Sequence, residues 1–221
     1  LNMAIQRRIF EFQSLSSKEL GKWSGLSTSI IGDCMNRQNI LASKIKPISK
    51  TTELFGQART VSVIAGDNAA IHSAMRFIKP GEILVIDGAS HSERALWGEI
   101  LNTIAIKKSI SGIVIDGAVR DSKELKKMSL PIFCSAISPA GPHKGWGGVI
   151  DGRISCGGVS VSPGDIIVGD DDGIVVIPLS RKDEVLAKVM DKMKFEAELI
   201  KKIDLGESVE SIFNTAEVEH I

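Results

Sequence analysis

Six short apolar runs, largely of β-branched residues, punctuate this chain: ARTVSVIA (58–65), PGEILVIDG (80–88), GIVID (112–116), PIFCSA (131–136), PGDIIVGDD (163–171) and IVVIP (174–178). Runs of this length bounded by Gly, Pro and Asp read as buried strands. The second and fifth echo one another, each opening on a Pro-Gly turn.

Between the runs the apolar positions recur at helical spacing. Residues 29–37 form a short candidate helix, with Ser27 or Thr28 as its cap. In 99–108, Ile100, Leu101, Ile104 and Ala105 share one face and Asn102, Thr103 and Lys107 the other, with Ile106 out of pattern. A long amphipathic helix over 181–202 carries Leu186, Val189, Met190, Met193, Ala197 and Ile200 at helical spacing, with Ser180 placed to cap it. Strand–helix–strand alternation in the middle of the chain predicts parallel pairing there. The Gly-rich stretch 145–178 reads instead as turns and hairpins, so the fold is expected to be mixed α/β.

Composition narrows the function. The 221 residues suit one sizeable domain, here a core over about 28–180 and a C-terminal helical arm over about 181–215. Lys plus Arg and Asp plus Glu both number 27, which argues against a general nucleic-acid or anionic-membrane binder. Three cysteines (Cys34, Cys134 and Cys156) without CxxC spacing support neither a disulfide framework nor a structural zinc site. The segment LNMAIQRRIFEFQS is interrupted by charge before an apolar signal core could form, and no apolar run reaches the roughly 20 residues of a membrane span. The expectation is a cytoplasmic protein with neither membrane nor nucleic-acid partner.

Two places carry candidate chemistry. A helix starting near Gly98 presents unpaired amides and the positive end of its dipole, on which an anion can sit. The alternative makes Gly98 a packing or turn glycine. At the end of run 112–116 stands DGAVRD (116–121). Asp121 followed by Glu124 fits a capping box for the next helix. A cap leaves Arg120 unexplained. An arginine at the carboxyl edge of a sheet is placed to hold a carboxylate through two parallel hydrogen bonds. The acidic run GDDDG (169–173) lacks the alternation of a calcium loop and reads as a hairpin turn. His72, His91, His143 and His220 show no ligand spacing, lysines avoid the strand interiors, and no GxGxxG follows a strand. The stretch GPHKGWGG (141–148) reads as a mobile loop.

GQARTV (56–61), PGEILVIDG, ALWGEIL (95–101), GIVIDGAVRD (112–121), the CGGVSVSPGDIIVGDDDGIVVIP run (156–178) and the C-terminal amphipathic helix, taken in order, resemble one family over about residues 28–200. It is the family that contains 4-hydroxy-4-methyl-2-oxoglutarate aldolase and the regulator of ribonuclease activity A, the RraA-like family. The resemblance implies an α/β fold, a three-layer α/β/β sandwich of the swivelling phosphohistidine-domain type. It also implies a homotrimer or homohexamer with sites between subunits. The aldolase signature is an acidic residue, twenty intervening residues and then Arg-Asp, matched here by Glu99, Arg120 and Asp121. Glu99 stands where many members carry aspartate.

By that resemblance Asp121 ligates Mg2+ or Mn2+, and Glu99 orders metal-bound waters. Glu196 of a neighbouring subunit, or next to it Glu198, completes the water shell. Arg120 binds the carboxylate and keto oxygen of a small 2-oxo acid, whose carboxylate also rests on the amides of Gly98, Glu99, Ile100 and Leu101. The implied activity is metal-dependent cleavage of 4-hydroxy-2-oxo acids to pyruvate, with oxaloacetate decarboxylation through the same enolate. The alternative within the family is a non-catalytic protein that binds and regulates an endoribonuclease. The menaquinone methyltransferase label sometimes attached to the family finds no cofactor motif in this sequence.

Overall fold

The computed structural model describes residues 4–213 together with 216, 218 and 219; His220 and the last two residues of the expected helical arm lie outside them. Its strands are β1 (Ile5–Arg7), β2 (Lys46–Pro47), β3 (Leu54–Val63), β4 (Glu82–Trp97), β5 (Gly112–Val119), β6 (Ile132–Ile137), β7 (Gly148–Ile150), β8 (Ile154–Cys156), β9 (Val159–Val161), β10 (Ile166–Asp170) and β11 (Gly173–Ile177). Its helices are α1 (Ser17–Leu20), α2 (Thr28–Cys34), α3 (Ala69–Ala74), α4 (Glu99–Lys107), α5 (Ser122–Leu125), α6 (Lys182–Asp204) and α7 (Val209–Ile212).

The main sheet runs β1-β7-β3-β4-β5-β6-β2, with β10 joined to β3 and β11 to β10; β8 and β9 pair separately. Strands β3 to β6 are mutually parallel, as the strand–helix alternation predicts. Strand β10 is antiparallel to both β3 and β11, and Asp170 faces Gly173 across a tight turn. GDDDG is therefore a hairpin. The fold is mixed α/β.

Alternation along the parallel strands explains why they read as unbroken apolar runs. Leu84 and Ile86 of β4, Ile113 and Ile115 of β5, and Ile132 and Cys134 of β6 face a core beneath α3, α4 and α5. Ile83, Val85, Val114 and Phe133 face the opposite core, which they share with Ile167, Ile174 and Val176 of the β10–β11 hairpin and with Ile154, Cys156 and Val161 of β8–β9. Strands buried on both faces need apolar residues at every position. The hairpin is also covered on its outer side, where Ile166, Val168, Val175 and Ile177 pack with Ile31 of α2 and with Val185 and Val189 of α6. A helical layer thus lies outside the two β layers.

Several local expectations change. Ser27 stands at the N-cap of α2, but its side chain makes no capping bond. The cap comes from 142 residues away: Asp170 accepts from the Thr28 amide (2.8 Å) and from its hydroxyl (2.6 Å). Ser180 lies in a 3-10 turn (Leu179–Arg181) ahead of α6, and Arg181 takes the N-cap position without a side-chain bond. On α4 the buried residues are Leu101, Asn102 and Ala105, whereas Ile100 is 72% exposed. Asn102 can be interior because its Oδ1 accepts from the Trp97 indole N–H at 3.2 Å. The polar residues 89–92 belong to β4, which continues through register shifts with Ala89 and Ser90 in the left-handed region.

Asp170 is thus a structural carboxylate whose bonds join the hairpin to α2. Asp170→Ala is expected to cost about 2 kcal/mol, because it strands a charge-assisted pair of donors. Urea unfolding would read this loss, while divalent-cation binding should stay at the wild-type level.

Candidate active site

Strand β5 ends at Val119, and its last residues pair with Ala95 and Trp97 at the end of β4. The Arg120 amide then donates to the Trp97 carbonyl at 2.9 Å, which fixes Arg120 beside Gly98, the residue that opens α4. The guanidinium arm passes between two glycines. A Cβ on Gly98 would fall 3.0 Å from Arg120 Cγ, and one on Gly141 would fall 3.0 Å from Arg120 Nη1. Gly98 has extended backbone, so close approach, and not φ, calls for glycine there.

Asp121 does not form the capping box. Its backbone is left-handed (φ 57°, ψ 32°), and its side chain makes no bond to the amides of α5. It reaches instead across to α4, where Oδ2 accepts from the Glu99 amide at 3.1 Å. One of the four expected substrate-binding amides is therefore already used by Asp121. The carboxylate sits against the positive end of the α4 dipole. A Cβ on Gly98 would lie 2.6 Å from Asp121 Oδ2, so this approach also depends on glycine. The Arg120 Nε to Asp121 Oδ2 separation, 3.7 Å, is too long for a hydrogen bond, and both side chains are about two-fifths exposed.

A small cleft, open to solvent, is lined by Gly98, Ile100, Leu101, Arg120 and Asp121 on one side and by Asn68, His72, Pro142 and Lys144 on the other. The spacing-based grouping of Arg120, Asp121 and the α4 terminus is thus one place in the fold. Glu99 is exposed at the first position of α4 and is not among the lining residues. Glu196 lies on α6, paired with Lys192 at 3.3 Å, and Glu198 is exposed on the same helix; neither belongs to this cleft within one chain.

The second wall was not legible in sequence. Residues 141–146 are tied to the turn before α3: His143 N donates to Gly66 O (2.8 Å), Asn68 N to His143 O (3.1 Å), and Trp146 N to Asp67 Oδ2 (3.1 Å). The His143 and Trp146 rings stack at 4.7 Å. The expected mobile loop is a clamped wall that carries Pro142 and Lys144. Burial and the nearby Lys144 charge hold the His72 imidazole below its ordinary pKa.

The residues fit a hydrated divalent cation. Among the described residues no group of three or more His, Cys, Asp or Glu side chains could hold a metal by themselves. Mg2+ keeps several waters and needs only one or two carboxylates, which the Asp121 carboxylate beside a glycine-lined space can supply. The buried cysteines offer no competing nucleophile, since burial pushes the Cys134 thiol up to about 11 and raises Cys156 as well.

A carboxyl-edge cleft with an exposed guanidinium, a carboxylate and a helix N-terminus places, in this α/β protein, the kinds of groups that could receive a small anion. A family model described as RraA-like, aldolase/RraA, matches residues 28–176, and the chain belongs to that family. A Halalkalibacterium halodurans protein provisionally named a 4-hydroxy-4-methyl-2-oxoglutarate aldolase is 41% identical over 167 residues, 76% of this chain and 80% of that one. The Thermus thermophilus protein named 4-hydroxy-4-methyl-2-oxoglutarate aldolase is 29% identical over 151 residues, 68% of this chain and 92% of its own. Among solved structures, Streptomyces coelicolor RraAS2, described as an unusual member of the RNase ES inhibitor RraA family, superposes with a TM-score of 0.78 at 23% identity. That match covers 85% of this chain and 98% of the other, and at this identity it speaks for the fold alone. No helix among the described residues is long and apolar enough to cross a membrane.

Proposed function

We propose that this protein is a divalent-metal-dependent lyase that cleaves 4-hydroxy-2-oxo acids to pyruvate and decarboxylates oxaloacetate. The observation that carries this reading is the Arg120 guanidinium between Gly98 and Gly141, with Asp121 beside it at the α4 terminus. Mg2+ or Mn2+ held by Asp121, with Glu99 and a neighbouring subunit's Glu196 toward its waters, would supply Lewis acidity to the 2-oxo group. Arg120 holds the keto oxygen and one carboxylate oxygen, and the free amides of α4 hold the other. A water takes the proton of the 4-hydroxyl, the C3–C4 bond breaks, and C4 becomes a carbonyl. The electron pair passes to C3 as the pyruvate enolate, whose oxygen lies against the guanidinium. Protonation at C3 gives pyruvate. Oxaloacetate reaches the same enolate by losing CO2.

The assembly in this reading is a homotrimer or homohexamer. Phe195, Ile200 and Leu205, at 57%, 58% and 82% exposure on and just after α6, are the apolar surface offered to a neighbour.

The test is pyruvate release from oxaloacetate and from 4-hydroxy-4-methyl-2-oxoglutarate, with Mg2+ and with EDTA. Turnover that EDTA abolishes and Mg2+ restores is expected. Absence of metal-dependent pyruvate, with capture of an endoribonuclease in a pull-down, would reverse the reading in favour of a regulator.

A further inference from the structure

Asn102 is a polar side chain in an apolar place. It is fully buried, on the face of α4 that also buries Leu101 and Ala105. Its Oδ1 accepts from the Trp97 indole N–H at 3.2 Å, which fixes the sense of the amide, and Nδ2 then donates to Met128 Sγ at 3.0 Å. A thioether is a weak acceptor, and burying an amide costs free energy that its bonds must offset. A leucine at 102 and a phenylalanine at 97 would fill the same space with no polar group to satisfy. The core thus carries a costlier pair than packing requires, one turn from the candidate site. Bonded polar groups inside a core fix one arrangement of it, which apolar contact alone does less well.

What the pair fixes follows from its neighbours. The Trp97 carbonyl accepts from the Arg120 amide at 2.9 Å, and the Asn102 amide donates to the Gly98 carbonyl at 3.0 Å. Met128 lies just after α5, the helix that Asp121 opens. Its amide donates to Leu125 O at 3.1 Å, and the Leu125 amide donates to Asp121 O at 3.0 Å. The Asn102 side chain therefore bridges both segments that hold the site: Trp97 carries Arg120, and Met128 is tied through Leu125 to Asp121. Between these two ties the Glu99 amide meets Asp121 Oδ2 at 3.1 Å.

We propose that Asn102 is a positioning residue, the joint that sets the first turn of α4 against Arg120 and Asp121. It is not among the residues that line the cleft. By holding Trp97 on one side and Met128 on the other, it keeps the Glu99 amide on Asp121 and the remaining amides of that turn aimed into the cleft. Its effect on turnover rests on the lyase reading above; its effect on geometry does not. The competing account is that Asn102 only satisfies the Trp97 indole, as buried tryptophans require.

Asn102→Leu alone strands the indole N–H and should melt early. Adding Trp97→Phe removes the other polar partner, the smaller ring makes room for the larger leucine, and the melting temperature should recover. Activity should not recover with it. For the double variant, kcat/KM for oxaloacetate with Mg2+ is expected to stay lower by about fivefold or more, since small misplacements of binding groups are felt in the transition state. Trp97 itself lines the cleft, so Met128→Leu, which leaves Trp97 and its bond in place, is the second arm. A loss of about threefold or more is expected there. A smaller loss in either arm would leave Asn102 as a mere acceptor for the indole and overturn the joint.

Amide hydrogen exchange tests the geometry without turnover. Arg120, whose amide is bonded to Trp97, is compared with Ile115 in the middle of the sheet, so that a general loss of stability cancels. In the double variant Arg120 is expected to exchange faster relative to Ile115 by about fivefold or more, and a smaller change rejects the proposal. If the wild-type protein releases no pyruvate the lyase reading fails, and this ratio still decides whether Asn102 is the joint.

Discussion

Asp121→Asn should leave a folded protein that has lost metal-dependent turnover, with kcat lower by about a thousandfold, a transition-state loss of roughly 4 kcal/mol. The fold is expected to survive for two reasons. Asp121 holds a left-handed backbone, φ 57°, which asparagine adopts at least as readily. Its carboxylate caps α4 through one bond to the Glu99 amide, and an asparagine carbonyl can accept that bond in its place. The change therefore removes charge while keeping shape, and a hard cation favours the charged oxygen. Circular dichroism melts should overlay those of wild type, and Mn2+ titration should show binding weakened in parallel with kcat. If the variant melted early and bound Mn2+ normally, Asp121 would be a cap and the cation would belong elsewhere.

The residues behind that prediction differ in how far sequence alone reveals them. The parallel strands are legible because both faces are buried, and α4 is found to within one residue of its end because Gly98 and Glu99 mark its start. The layer outside the β10–β11 hairpin follows from the 166–168 and 174–177 runs only once their two faces are seen to pack in different cores. Asp170 is a helix cap 142 residues from its helix, and no local pattern encodes that. The polar stretch 89–94 hides a strand, since register shifts and left-handed residues let it pair without apolar alternation. The cleft is half visible. Arg120 and Asp121 declare themselves by sitting where a strand ends, whereas Asn68 and Lys144 meet them through bonds that join Asp67 to Trp146, 79 residues apart. An unexplained Gly-Pro-His-Lys-Gly loop in a chain with few other polar candidates was the only available signal.

Arg120→Lys is the complementary expectation, with kcat/KM lower by about a hundredfold to a thousandfold and no change in melting temperature. The side chain is about two-fifths exposed and makes no hydrogen bond that the fold needs, so stability should not register its loss. What is lost is geometric. The arm lies between Gly98 and Gly141 with its planar end beside the cleft. A planar guanidinium can give two parallel hydrogen bonds, one to the keto oxygen and one to a carboxylate oxygen. Lysine keeps the charge but offers a single compact ammonium, so it cannot hold both oxygens in one plane while the enolate forms. The loss should therefore fall on kcat as well as KM, since charge on the enolate oxygen exists only after the ground state. Arg120→Ala sharpens the test: added guanidinium ion should restore part of its activity, and added ammonium should restore less. Rescue by both to the same extent would mean that Arg120 contributes charge alone and that the two flanking glycines are spacing for some other group.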